Sequence, residues 1–110
     1  MTGTVTIGTT NVGMTANAAS PFIFRQVHKK DFLKVLDVND VDAQLFVEMG
    51  YVMAMQYECG TTGALNKTQA DFLEWLSQFG PMDVLNATGA IMALYVEQQD
   101  STANPKKDSD

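Results

Sequence analysis

The run Leu45-Phe46-Val47-Glu48-Met49-Gly50-Tyr51-Val52-Met53-Ala54-Met55-Gln56-Tyr57 constrains the fold more than any other part of this chain. Leu45, Phe46, Met49, Val52 and Met53, with Val41 upstream, recur at helical spacing and define one buried stripe. Val47, Met55 and Tyr57 fall off that stripe, so the helix is apolar on more than one side. Such a helix belongs at the centre of a domain, with other elements around it. Asn39 reads as its N-cap, Asp40 and Asp42 suit the positive end of its dipole, and Gly60 reads as a left-handed stop. Gly50 in the interior costs about 1 kcal/mol relative to Ala, which close approach of a neighbouring helix would offset.

The flanking segments supply that cover. Thr4-Val5-Thr6-Ile7 and Val12-Gly13-Met14-Thr15-Ala16 alternate polar and apolar residues on either side of a turn-rich stretch. They read as an N-terminal β-hairpin over about residues 4–16 with a loop of four or five residues, too small to stand without helices beneath it. Ser20-Pro21 reads as a helix start, with Ser20 as N-cap and Phe22, Ile23, Phe24 and Val27 on the apolar side. Lys29-Lys30-Asp31 marks an irregularity before a second short helix carrying Phe32, Leu33, Val35 and Leu36 and ending near Asp37. Thr61 to Lys67 reads as a loop. Thr68 then caps a helix with Phe72, Leu73, Trp75, Leu76 and Phe79 on one dense face, and Gly80 stops it. Pro81 opens a last helix whose Val84, Leu85, Thr88, Ile91, Met92 and Tyr95 share a face. From Glu97 to Asp110 there is no large apolar residue, so a disordered tail is expected. The expected fold is therefore mainly α. A compact bundle of about four to five helices with its hairpin fills residues 1–96, and an acidic tail fills residues 97–110.

Charge and composition narrow the function. The net charge of −6 opposes nucleic-acid binding, which depends on Lys and Arg neutralising phosphates. The one basic cluster, Arg25, His28, Lys29, Lys30 and Lys34, reads as a solvated helix face. The longest apolar run, Ala90–Val96, is far shorter than the roughly 20 residues that span a bilayer. Met1 to Thr10 has neither a basic start nor an apolar run, so no secretory signal is expected. Cys59 is the single cysteine, which excludes an internal disulfide and fits a reducing compartment. One Cys and one His fall short of a four-ligand metal site, and no phosphate-binding, dinucleotide or hydrolase motif is present. Cys59 reads as a partly buried structural thiol and His28 as a surface residue, and no catalytic residue, cofactor or metal ligand is expected. The candidate functional residues are partner-binding ones: Trp75, Phe79, Met82 and Tyr95, since aromatic and Met side chains are enriched at interfaces. The competing reading puts Phe72, Leu76 and Phe79 in the core with Trp75 flanking it. The seven Met residues suit either core filling or a surface that repacks against a partner.

The order of these segments resembles the tail assembly chaperones of long-tailed phages of Gram-positive hosts. A hairpin leads to Ala18-Ala19-Ser20-Pro21-Phe22-Ile23-Phe24-Arg25 and Asp31-Phe32-Leu33-Lys34, then to the long helix at Leu45–Tyr57. The aromatic segment Asp71-Phe72-Leu73-Glu74-Trp75-Leu76-Ser77-Gln78-Phe79 and a Pro-started apolar helix complete the likeness, which covers most of residues 4–96. The chain departs from the family where Phe-Gly often joins the first two short helices, since His28-Lys29 stands there. The resemblance implies a binding protein that coats the helix-rich tape measure protein in the host cytoplasm and is absent from the mature virion. It also implies a longer, frameshifted form that recruits tail tube protein, and homo-oligomers along the client. A tail that accepts an extension and a Lys106-Lys107 pair encodable by an A-rich stretch fit that scheme. A small acidic regulatory adaptor that binds one protein partner is the alternative.

Overall fold

The computed structural model describes residues 2–32 and 43–103, with side chains described through Val96. The expected second short helix at Leu33–Asp37, the Asn39 cap and Asp40 and Asp42 lie outside the described residues. Strands β1 (Thr2–Ile7) and β2 (Thr10–Thr15) form an antiparallel hairpin, with Thr2 opposite Thr15 and Ile7 opposite Thr10. The loop is therefore the two residues Gly8 and Thr9, shorter than the sequence suggests. Gly8 at φ 65 allows it, since a tight hairpin turn needs a positive φ that suits Gly. Val5, Ile7 and Met14 point inward, while Thr2, Thr4 and Thr6 face outward.

The helices are α1 (Ser20–His28), α2 (Ala43–Leu65), α3 (Gln69–Leu76), α4 (Asp83–Asn86) and α5 (Thr88–Ala103). Every residue from Leu45 to Gln56 is buried, as expected for a central helix that is apolar on more than one side. The hairpin, α1, α3, α4 and α5 all pack against it. At Gly50 a Cβ would come within 2.8 Å of Ile91 on α5, so the missing side chain is what lets the two helices approach. Gly60 does interrupt α2, with φ 78, yet helical turns resume and run to Leu65. The expected loop from Thr61 is thus mostly helix. The C-terminal helix likewise runs past Val96, through to Ala103.

Ser20 is not the cap of α1. Its cap position is Ala19, and the Ser20 side chain points into the core. There its hydroxyl donates to Gln56 Oε1 at 2.6 Å and accepts from the Asn17 backbone N–H at 3.0 Å. Gln56 Nε2 donates in turn to Asn17 Oδ1 at 3.0 Å. This satisfied polar knot fixes the chain between hairpin and α1 onto the middle of α2, since breaking it would strand buried polar groups. Thr68 and Asp71 form the reciprocal capping box that starts α3.

A line of rings ties the helices together. Phe24 lies 5.1 Å from Phe32 and 4.8 Å from His28, and His28 lies 4.8 Å from Phe72. Tyr51 sits 5.3 Å from both Phe72 and Trp75, and Trp75 lies 5.1 Å from Phe79. Tilted and edge-on contacts of this kind add to what burial alone contributes.

Helix α1 ends because Lys29 adopts the left-handed conformation, φ 59 and ψ 32, where its N–H bonds the Arg25 carbonyl. Here the irregularity read at Lys29-Lys30 takes its physical form. Glycine is the residue that enters this conformation without a Cβ clash. Replacing Lys29 with Gly should therefore stabilise the protein by up to about 1 kcal/mol in urea unfolding. Lys29→Val, β-branched at the same exposed position, should destabilise it.

Candidate partner-binding surface

His28 and Cys59 take the opposite places from those the sequence suggested. His28 is buried, with Nε2 3.0 Å from the Glu48 backbone carbonyl and Nδ1 3.0 Å from the Gln69 side-chain amide. A carbonyl only accepts, so Nε2 carries a proton. Both ring nitrogens are thus engaged away from Cys59, which is exposed. Glu48 is also buried. It pairs with Lys30 Nζ at 2.7 Å, and Gln44 Nε2 donates to its other oxygen at 3.3 Å. The Lys30 head is partly solvated, so the pair anchors the end of α1 to α2 without isolating a charge. Among the described residues, no group of three or more His, Cys, Asp or Glu is placed to hold a metal ion. Among them, too, no helix is long and apolar enough to cross a membrane.

The four candidate partner-binding residues separate. Trp75 is 8% exposed and Tyr95 2%, so both belong to the core. Trp75 is held between Tyr51 and Phe79, and Tyr95 packs edge-on against Phe32 at 5.3 Å. Phe79 is half-buried, and Met82 is 56% exposed. The dense face read on α3 divides as well: Phe72 and Trp75 point inward, Leu76 lies at the edge, and Leu73 is 57% exposed. Leu73 and Trp75 stand two residues apart, on different sides of the helix, and nothing local in the sequence says which side faces the core.

What remains on the surface is an open groove and several exposed apolar side chains. The groove runs between the start of α2, at Gln44 and Val47, and the α3 side chains Phe72, Leu73 and Leu76. Phe79, Pro81, Val84 and Leu85 form its other wall. Met82 and, further along α5, Met92 and Val96 are also exposed. Gly80 and Pro81 shape the corner, where the Gly80 N–H donates to Asp83 Oδ2 at 2.9 Å. From Thr68 to Pro105 the sequence contains Asp71, Glu74, Asp83, Glu97 and Asp100 and no Lys or Arg. The basic residues of α1 and its end lie elsewhere, so charge is segregated along the chain.

Leu73, Leu85 and Met92 were legible as apolar residues, but not as exposed ones. The sequence reading put Leu85 and Met92 on the same face as Val84, Ile91 and Tyr95. The structure gives two adjacent faces, one in the core and one outside. Comparison with known protein families, with curated proteins and with solved structures finds no match for this chain.

Tyr51 lies among the rings behind this surface. Burial, then the Asp71 carboxylate, then Cys59 and Glu58, push the Tyr51 phenol up to about 12. The fold favours neutral Tyr51, so its contribution is complete below the ordinary value of 10.0 and is lost as pH rises through about 12. Phenolate absorbance and circular dichroism followed together in alkaline titration should show Tyr51 ionising only as the structure is lost. A Tyr51→Phe variant should keep its structure to higher pH.

Proposed function

We propose that this chain is a non-catalytic helix-binding protein, and specifically the short form of a phage tail assembly chaperone. It would hold the tape measure protein soluble in the host cytoplasm while the tail tube assembles, and leave before the virion is complete. The observation that carries this reading is the apolar surface around Leu73, Met82, Leu85, Met92 and Val96, displayed on a well-packed scaffold. A long client rich in helices presents apolar stripes that such a surface covers, in the manner of a helix laid into a groove. The acidic balance keeps chaperone-bound clients apart from one another. Order of elements supports the same family: a hairpin, a short Pro-started helix, a central helix, the aromatic α3 and a Pro-preceded C-terminal helix. Tail tube protein would be engaged by a longer form continued beyond Lys106-Lys107.

Co-expression with tape measure fragments tests the proposal. Fragments that aggregate alone should remain soluble with this chain, and light scattering should show several copies per fragment. Binding of one copy to one folded partner, with no effect on the fragments, would favour the small regulatory adaptor instead. DNA sequence through the Lys106-Lys107 codons should show a slippery heptamer and an overlapping frame.

A further inference from the structure

Strand β1 carries an edge that no other described element pairs. The sheet has only two strands, and its hairpin closes through Gly8 and Thr9. In a two-residue hairpin the residues flanking the loop, here Ile7 and Thr10, exchange both backbone bonds, and bonded pairs then alternate. Val5 with Val12 and Gly3 with Met14 are the next bonded pairs. The N–H and C=O groups of Thr2, Thr4 and Thr6 therefore point away from β2. Among the described residues, no backbone hydrogen bond joins these groups to another element.

The opposite edge is closed. Its outward positions on β2 include Gly13 and Thr15, both half-buried, and a Cβ on Gly13 would come within 2.4 Å of the Tyr57 ring of α2. Thr2, Thr4 and Thr6, in contrast, are exposed. Natural sheets guard an open edge with Lys, Pro, a bulge or an inward-pointing charge. Strand β1 has none of these: it runs in unbroken register with β2, and no charged residue occurs from Met1 to Phe24. A second copy meeting this edge therefore brings no like charge to the contact, despite the net charge of −6.

The edge is also self-complementary. Turned antiparallel, β1 of a second copy sets Thr4 against Thr4, Thr2 against Thr6 and Thr6 against Thr2, and each pair can exchange both its backbone bonds. The side chains agree with that register. Thr2 Oγ1 lies 3.0 Å from Thr15 Oγ1 and Thr6 Oγ1 donates to Asn11 Oδ1 at 2.9 Å, whereas Thr4 faces Gly13, which offers no side chain. Thr4 of a second copy supplies the missing hydroxyl in a favourable cross-strand pair. On the inner face, Val5 of each copy stands opposite Gly3 of the other, a branched side chain against none.

We propose that two copies of this chain pair through β1, antiparallel about a twofold axis at Thr4, into one sheet with two strands from each copy. The threonine face stays outward, and the helices of both copies lie on the same side of the sheet. A contact of this isologous kind closes at two copies. It uses the hairpin and not the apolar surface of α3 to α5, so it stands or falls apart from the chaperone reading.

The test is sedimentation of the full chain from micromolar to millimolar concentration, with amide hydrogen exchange followed residue by residue. The chain should pass from monomer to dimer, and the Thr4 and Thr6 amides should exchange at least about tenfold more slowly in the dimer. The Val5 and Ile7 amides, bonded within the hairpin, should be slow throughout. Thr4→Lys and Thr4→Glu should each stay monomeric, because like charges then face each other across the axis. Mixing the two should restore a dimer with one copy of each. Asn11→Lys, on the outer face of β2, should dimerise as the parent does. A chain that is monomeric up to millimolar concentration overturns the proposal, as does a dimer that Thr4→Lys leaves intact. Mixed Thr4 variants that keep the parent's circular dichroism yet stay apart also overturn it. Should either variant unfold, the exchange of Thr4 and Thr6 in the parent dimer decides: unchanged rates sink the proposal. Slowing of those two amides only when tape measure fragments are added, with the chain still a single copy, gives the edge to a foreign strand and overturns the pairing of copies.

Discussion

Burial of the Leu45–Gln56 stretch of α2 on all sides is the constraint from which the other elements take their places. From Leu45 to Gln56 there is no solvent face on which a charged stripe could lie, so hairpin, α1, α3, α4 and α5 are arranged as its cover. Removing that much apolar surface from water outweighs the propensity of any one segment, at about 25 cal/mol for each Å² buried. It also explains why a short hairpin, marginal alone, is held in place: its inward Val5, Ile7 and Met14 close one side of the core.

Total burial of a helix has a consequence for its polar residues. Glu48 and Gln56 lie within the buried run and need partners, because an unpaired polar group in the interior is destabilising. Gln56 finds Ser20 and Asn17, Glu48 finds Lys30 and Gln44, and the Glu48 carbonyl receives the His28 ring. Apart from Gln44, which lies on α2 itself, these partners belong to α1 or the segments on either side of it. Apolar packing brings the elements together, and these directional contacts set where α1 starts and stops along α2. The left-handed Lys29 then turns the chain so that Lys30 reaches Glu48.

The C-terminal third has a different economy of surface. Its helices carry more apolar side chains than one core contact can use, and the surplus faces outward beside an acidic, base-free sequence. Phe72 and Trp75 are spent on the core, while Leu73, Met82, Leu85 and Met92 stay accessible. The outward residues stand on helices whose inner faces are firmly packed, which presents them without the ordering cost that a flexible loop would carry into a complex.

The central helix, the existence of the hairpin, the Thr68 cap and the close approach at Gly50 were all determined by sequence, because each depends on local spacing or on a single residue's conformational preference. The mainly α fold follows from those signals. Sequence also carried the charge segregation and the absence of familiar catalytic motifs. The tertiary structure alone decided which of two adjacent apolar stripes is buried. Val84 and Leu85, or Trp75 and Leu73, differ by a rotation about the helix axis, and only the position of α2 breaks that tie. It also decided that His28 lies inside and Cys59 outside, since a His is buried only where two partners meet its ring, and those came from Glu48 and Gln69, distant in sequence.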